Sequence, residues 1–141
     1  MLLELETNPR VQLFNFQFAP GAADIKRTGA GELIGDYTHE FGCKGFMGTA
    51  AVMLHMHLII TVCTSTAHLA GALGIPCWTL LCQNPYWIWG RESEKSIWYP
   101  GMKLYRQQKM GDWAPVMEQV SADLDHYARF FFSSPKETLV A

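Results

Sequence analysis

The sequence predicts an α/β domain with a mainly parallel sheet between two helical layers. Three observations predict it. Residues 58–62, Leu-Ile-Ile-Thr-Val, form an apolar, β-branched run suited to a strand buried on both faces. Residues 77–81, Cys-Trp-Thr-Leu-Leu, form a second such run. Between them lie the polar knot Cys63-Thr64-Ser65-Thr66 and helix-forming residues 67–73. Gly74 is then placed to end that helix and Pro76 to block its continuation. Strand, polar turn, helix and strand make a βαβ unit, whose crossover is expected to be right-handed.

Composition sets the bounds. The chain has 141 residues, 49% of them hydrophobic and 13% aromatic, which is enough for a core and argues against disorder over most of its length. One domain is expected over residues 1–132, followed by a frayed tail over 133–141. A net charge of −2 gives no basic footprint for nucleic acid. The four cysteines form no C-x-x-C pair and fall mostly in the predicted buried strands, as reduced thiols of a cytoplasmic protein would. Residues 1–6 carry two acids and no basic residue, unlike a secretory signal. Residues 45–90 contain no Lys, Arg, Asp or Glu. His55, His57, the Ser/Thr knot, Gly74 and Pro76 interrupt that stretch, so about 20 clean apolar residues are not available for a membrane span.

The remaining elements follow in order. Residues 2–7 read as a helix end, stopped at Asn8-Pro9. Residues 11–18 alternate apolar and polar side chains and read as a strand. Residues 20–35 read as a mobile loop; the glycines at 29, 31 and 35 approach a dinucleotide fingerprint, but the spacing is one residue too long and no strand leads into it. A short strand is placed within 34–41. Residues 46–56 read as a helix apolar on nearly every face, and therefore buried. His55 and His57 are two apart and point in different directions on a helix, and no further ligand completes a set, so no metal site is expected. Residues 83–95 form an aromatic loop. Its rings either stack on a base or sugar, with Arg91 meeting a phosphate, or cover the sheet end or a partner domain. Residues 102–107 read as the last strand. Asp112 is expected to cap a long helix, with Pro115 in its first turn. Trp113, Met117, Val120, Leu124, Tyr127 and Phe131 give that helix one apolar stripe to lay on the sheet.

The candidate chemistry lies in the polar knot. Ser65 or Thr66 can cap the helix, leaving first-turn N–H groups free to meet an anion such as a phosphate. The knot falls at the carboxyl end of a strand, where parallel sheets bind ligands. His68, on the first helical turn, is within reach of the same ligand. The alternative is that these hydroxyls only cap the helix.

Residues 64–76, Thr-Ser-Thr-Ala-His-Leu-Ala-Gly-Ala-Leu-Gly-Ile-Pro, resemble the C-terminal half of a GT-B glycosyltransferase. The resemblance is to bacterial proteins related to O-linked N-acetylglucosamine transferases and ADP-heptose transferases. It extends to Trp98-Tyr99-Pro100, Leu104-Tyr105-Arg106-Gln107 and Gly111-Asp112-Trp113, and covers roughly residues 11–124. It implies a three-layer Rossmann-like domain that binds a nucleotide diphosphate sugar as donor ligand, with no other cofactor. Under it, Thr64, Ser65 and Thr66 hold the diphosphate, His68 contacts ribose or phosphate, and Gln17 helps to place the nucleotide. Three positions depart from the family pattern. Cys63 and His57 stand where acids are usual, and Phe18 stands where a basic residue often follows Gln17. The length leaves room for one of the two halves of a GT-B enzyme. The expected function is therefore donor-nucleotide binding by a domain incomplete as an enzyme on its own. The rivals are a non-catalytic homodimeric assembly module and a decayed fragment with no ligand.

Overall fold

A computed structural model describes Leu5 and residues 8–16, 27 and 45–133. The chain divides into two compact units, Met1–Gly35 with Met117–Ala141, and Asp36–Val116. The parallel sheet and the polar knot belong to the second.

That unit opens with α1, Gly45–Met53. The helix is shorter than the apolar run that encodes it, and it is not buried all round. It buries Thr49 and Met53, one turn apart, while Phe46 is 64% and Met47 85% exposed. A helix apolar on every side has no hydrophobic direction of its own, so its neighbours choose the buried face. The chain then turns through Leu54 and His55, and His57 lies in the following bend, outside the helix.

Strand β1 is Ile59–Val62, and helix α2, Ser65–Ala72, follows two residues later. α2 ends as the sequence requires. Gly74 takes φ 71°, its N–H donates to Gly71 O at 3.2 Å, and the Ile75 N–H donates to Ala70 O at 3.1 Å. This paired bond pattern, with buried Ile75 just beyond it, is a Schellman stop. Strand β2, Cys77–Leu81, and strand β3, Met102–Arg106, complete the described sheet. Its order is β1-β2-β3 with both pairings parallel; Ile59 lies beside Cys77, and Cys77 beside Met102. The fold is thus α/β with a three-stranded parallel sheet, compatible with a Rossmann-like arrangement.

Burial follows position in the sheet rather than composition alone. Central β2 is buried at all five residues. β1, last in order among the described strands, buries only Ile59 and leaves Val62 40% exposed, so the expectation of burial on both faces fails there. α2 packs on β1 and β2 through its small residues, with Ala67 and Ala70 fully buried.

The other unit holds most of the long helix α3, Ala114–Ser133, whose first residues close the second unit. The helix starts at Ala114, so Asp112 lies two residues ahead of it. Its buried line is Met117, Val120, Leu124 and Ala128, while Phe131 is 45% exposed. A stripe drawn in steps of four and three has a period of 3.5 and drifts by about 20° per heptad against a real helix, which moves Phe131 off the buried line. In the same unit Asn8 and Pro9 form a turn, with the Arg10 N–H on Asn8 Oδ1 at 2.9 Å and Asn8 Nδ2 donating to Asp125 Oδ1 at 2.6 Å. Of the strand expected over 11–18, residues 11–16 are described. Only Phe14 makes a bridge pairing, because alternating polarity does not by itself supply a partner ladder. The helix end expected at 2–7 is described only at Leu5; the strand within 34–41, most of the loop over 20–35 and the tail beyond 133 lie outside the described residues. Among the described residues, no helix is long and apolar enough to cross a membrane.

Candidate functional site

The carboxyl ends of the three parallel strands lie at one edge of the sheet, where Val62, Leu81 and Arg106 are the last strand residues. The loops leaving that edge carry the site. After β1 the chain enters α2 through Cys63 and Thr64. Thr64 is the N-cap residue, extended at φ −136° and ψ 176°, and its side chain makes no capping hydrogen bond. This corrects the expected cap: Ser65 and Thr66 are already helical. The Thr64 hydroxyl lies 3.4 Å from both Thr61 Oγ1 and Val62 O, so it turns back toward the strand. Of the first-turn amides, the Ala67 N–H donates to Thr64 O at 3.1 Å. Cys63, Thr64 and Ser65 are exposed and Thr66 half-buried. The outcome is an open helix N-terminus at a strand end, where a dipole and unsatisfied donors favour an anion.

The loop after β2 closes over this region by way of Trp89. Residues Trp87–Trp89 make one 3₁₀ turn, ended by Gly90 at φ 62°. Trp89 is 2% exposed. Its Nε1–H donates to Cys63 Sγ at 2.9 Å, and its ring stacks on His68 with centroids 4.9 Å apart and planes 26° from parallel. His68 Nδ1 lies 3.1 Å from the Tyr99 hydroxyl. Tyr99 in turn lies flat against the α2 backbone at Gly71, where a Cβ would come within 2.6 and 2.8 Å of its two Cδ atoms. Ser96 Oγ accepts from the N–H groups of Trp98 and Tyr99, each at 3.2 Å, and fixes that turn. His68 is therefore held on three sides, by a hydroxyl, by an indole face and by its own helix.

Arg106 anchors the loop from the other side. Its guanidinium donates to the carbonyls of Ser93 at 3.0 Å, Gly90 at 3.1 Å and Trp89 at 2.5 Å. No carboxylate among the described residues pairs with it. Burial pushes its pKa down from the ordinary arginine value, yet an arginine stays protonated, so a positive charge remains at the strand ends. Outside this clamp, Gln83, Asn84, Pro85, Trp87, Gly90 and Arg91 line a concavity of about 490 Å³.

The structure thus brings Thr64, Ser65, Thr66 and His68 to one edge of the sheet. Arg91 lies in the wall of the concavity, whose lining includes none of those four. Gln17 and Phe18 lie outside the described residues. Among the described residues no three His, Cys, Asp or Glu side chains are grouped as metal ligands. Sequence reasoning passed over Tyr99 and Arg106 as parts of the site, and Gly71 as its seat. An isolated glycine inside a helical pattern was the one available signal.

Part of the chain has a curated relative. It is 30% identical to Protein FlbA of Caulobacter vibrioides over 79 residues, which make up 56% of this chain and 13% of FlbA. The chain therefore matches only a small part of that protein's length. No protein-family model matches the chain, and no solved structure matches it significantly.

Proposed function

We propose that this chain binds a nucleoside diphosphate sugar at the carboxyl edge of its parallel sheet, as the donor-binding half of a GT-B glycosyltransferase. The observation that carries the reading is the uncapped N-terminus of α2, exposed directly after β1. Thr64, Ser65 and Thr66, with the first-turn amides, receive the diphosphate, and the helix dipole offsets the charge that gathers on a departing nucleotide. His68, oriented by Tyr99 and Trp89, meets ribose or phosphate. Gln17 helps to place the nucleotide, as the resemblance implies, and Arg91 faces what extends beyond the diphosphate. At Cys63, where the resemblance expects an acid, the sulfur instead accepts the Trp89 indole N–H, so its part is to hold the loop.

The test is calorimetry with UDP, ADP and GDP. Binding on the order of 0.1 to 1 mM is expected, about 4 to 5.5 kcal/mol. No heat and no NMR shifts at millimolar nucleotide would remove the reading.

A homodimeric assembly module is favoured by one separate observation. Phe46, Met47 and Leu54 are all at least 60% exposed, more apolar surface than one helix and its turn ordinarily leave in water. Sedimentation tests it: a monomer at high micromolar concentration excludes it.

A further inference from the structure

We propose that the concavity outside the Arg106 clamp is a saccharide subsite, and that it takes a pyranose bearing a carboxylate. The proposal stands on the walls of that concavity and does not depend on nucleotide binding at α2.

The argument begins with Trp87. Its indole is 69% exposed, although a large aromatic side chain ordinarily finds cover. It does not project from a slack loop. Arg106 holds the carbonyls on either side of the Trp89–Gly90 bond, and Trp89 is wedged into the core beside His68. Trp87 is therefore a flat apolar plate on a fixed turn, ready to receive a ligand without ordering first.

The other walls define what lies on that plate. Gln83 and Asn84 supply carboxamides. One Gln83 Nε2–H donates to Gln108 O at 3.2 Å, which leaves Oε1 as an acceptor and the second N–H as a donor. The Asn84 side chain makes no hydrogen bond among the described residues, so donors and an acceptor remain. A ligand with one apolar face and a rim of hydroxyls fits this set, and a pyranose has that form. A nucleobase fits less well. Tyr86, the ring nearest Trp87 in sequence, is tilted 54° to it, so the two cannot sandwich a flat base. The volume of about 490 Å³ is within the usual range for small-ligand sites, about 300 to 1,000 Å³.

Charge selects among sugars. Arg91 is the one ionised side chain in the lining, and it makes no ion pair or hydrogen bond among the described residues. Its guanidinium fork matches a carboxylate in two parallel bonds. A neutral hexose leaves that fork in water, whereas an acidic one engages it.

The experiment titrates the full chain with glucuronate, N-acetylneuraminate, glucose and uridine, following the Trp87 indole N–H by NMR after assignment with Trp87→Phe. The acids are expected to bind about tenfold more tightly than glucose. Arg91→Gln should erase that preference, and Arg91→Lys should restore part of it. Trp87→Ala should remove the shifts that the sugars cause in the Gln83 and Asn84 side-chain amide signals, while the other indole signals stay dispersed, showing an intact fold. The proposal is overturned by equal affinity for glucose and glucuronate, by an acid preference that survives Arg91→Gln, by a Trp87 signal unmoved at about 50 mM sugar, or by uridine moving it at lower concentration than any sugar. Loss of nucleotide binding in a chain that keeps its acid-sugar response would count against the α2 reading alone.

Discussion

At the scale of single residues, two buried groups carry opposite lessons about polarity. Cys77 is fully buried in β2, with Thr79 Oγ1 3.6 Å from its sulfur. Burial pushes its thiol from 9.0 up to about 11, and the Thr79 contact only partly offsets this. Between those values the unfolded chain has lost a proton that the folded chain keeps. Stability is therefore fully present below about pH 9 and falls as pH rises toward 11, by up to about 3 kcal/mol. Urea unfolding at pH 8.5 and 10.5 checks this, with Cys77→Ala expected to flatten the difference. If Cys77→Ala keeps the full slope, other groups are responsible, and Tyr127, whose pKa burial also raises, becomes the first candidate. Gln107 poses the converse case. It is 4% exposed and its Oε1 accepts the Gly111 N–H at 3.2 Å, but its Nε2 has no hydrogen-bond partner among the described residues. Such a group ordinarily costs about 1 to 3 kcal/mol.

At the scale of elements, α2 carries the most specific expectation. Replacing Thr64 and Ser65 together with Ala should weaken diphosphate binding severalfold and nucleoside binding little, because only the diphosphate uses the helix terminus. Equal losses for both ligands would mean that the fold was damaged. The element also shows how far sequence reading reaches. Its Gly74 stop and the strands on either side were legible, because each depends on a contiguous apolar run or on one residue with special backbone freedom. The uncapped start was not, because two hydroxyl residues adjoin Thr64 and nothing local ranks them. The buried faces of α1 and β1 were not legible for a different reason. Phe46 and Val62 have the composition of core residues, and only their neighbours in space leave them exposed. In the site, Thr64–Thr66 and His68 could be picked out as a helix terminus. The bond from Trp89 to Cys63 spans 26 residues and that from Arg106 to Trp89 spans 17, and no periodicity reaches so far.

At the scale of the whole molecule, the donor reading implies a division of labour. Sugar transfer needs donor and acceptor held within reacting distance, and much of the rate comes from that positioning. On that reading the acceptor site lies in a second domain. The 141-residue chain, incubated with radiolabelled UDP-, ADP- and GDP-sugars and mixed acceptors, is therefore expected to give no product above the no-enzyme rate. Cys63→Asp should improve nucleotide-sugar binding without producing transfer, since a carboxylate there can accept from both the Trp89 indole and a sugar hydroxyl. Product from the wild-type chain alone would show that a second copy or another surface completes the reaction.

The seat that Gly71 offers Tyr99 reaches beyond the geometry of one contact. A phenol ring normally turns over about its own axis fast enough for its two edges to look alike. With the α2 backbone packed against one of its faces, this ring is expected to turn when the loop that carries it lifts away. Its flip rate is then a clock for opening of the loop over the site. NMR line shapes of the Tyr99 ring protons should show slow exchange, and a ligand that holds the loop down should slow the clock further. Rapid flipping, with the two edges averaged at low temperature, would mean that the loop breathes freely.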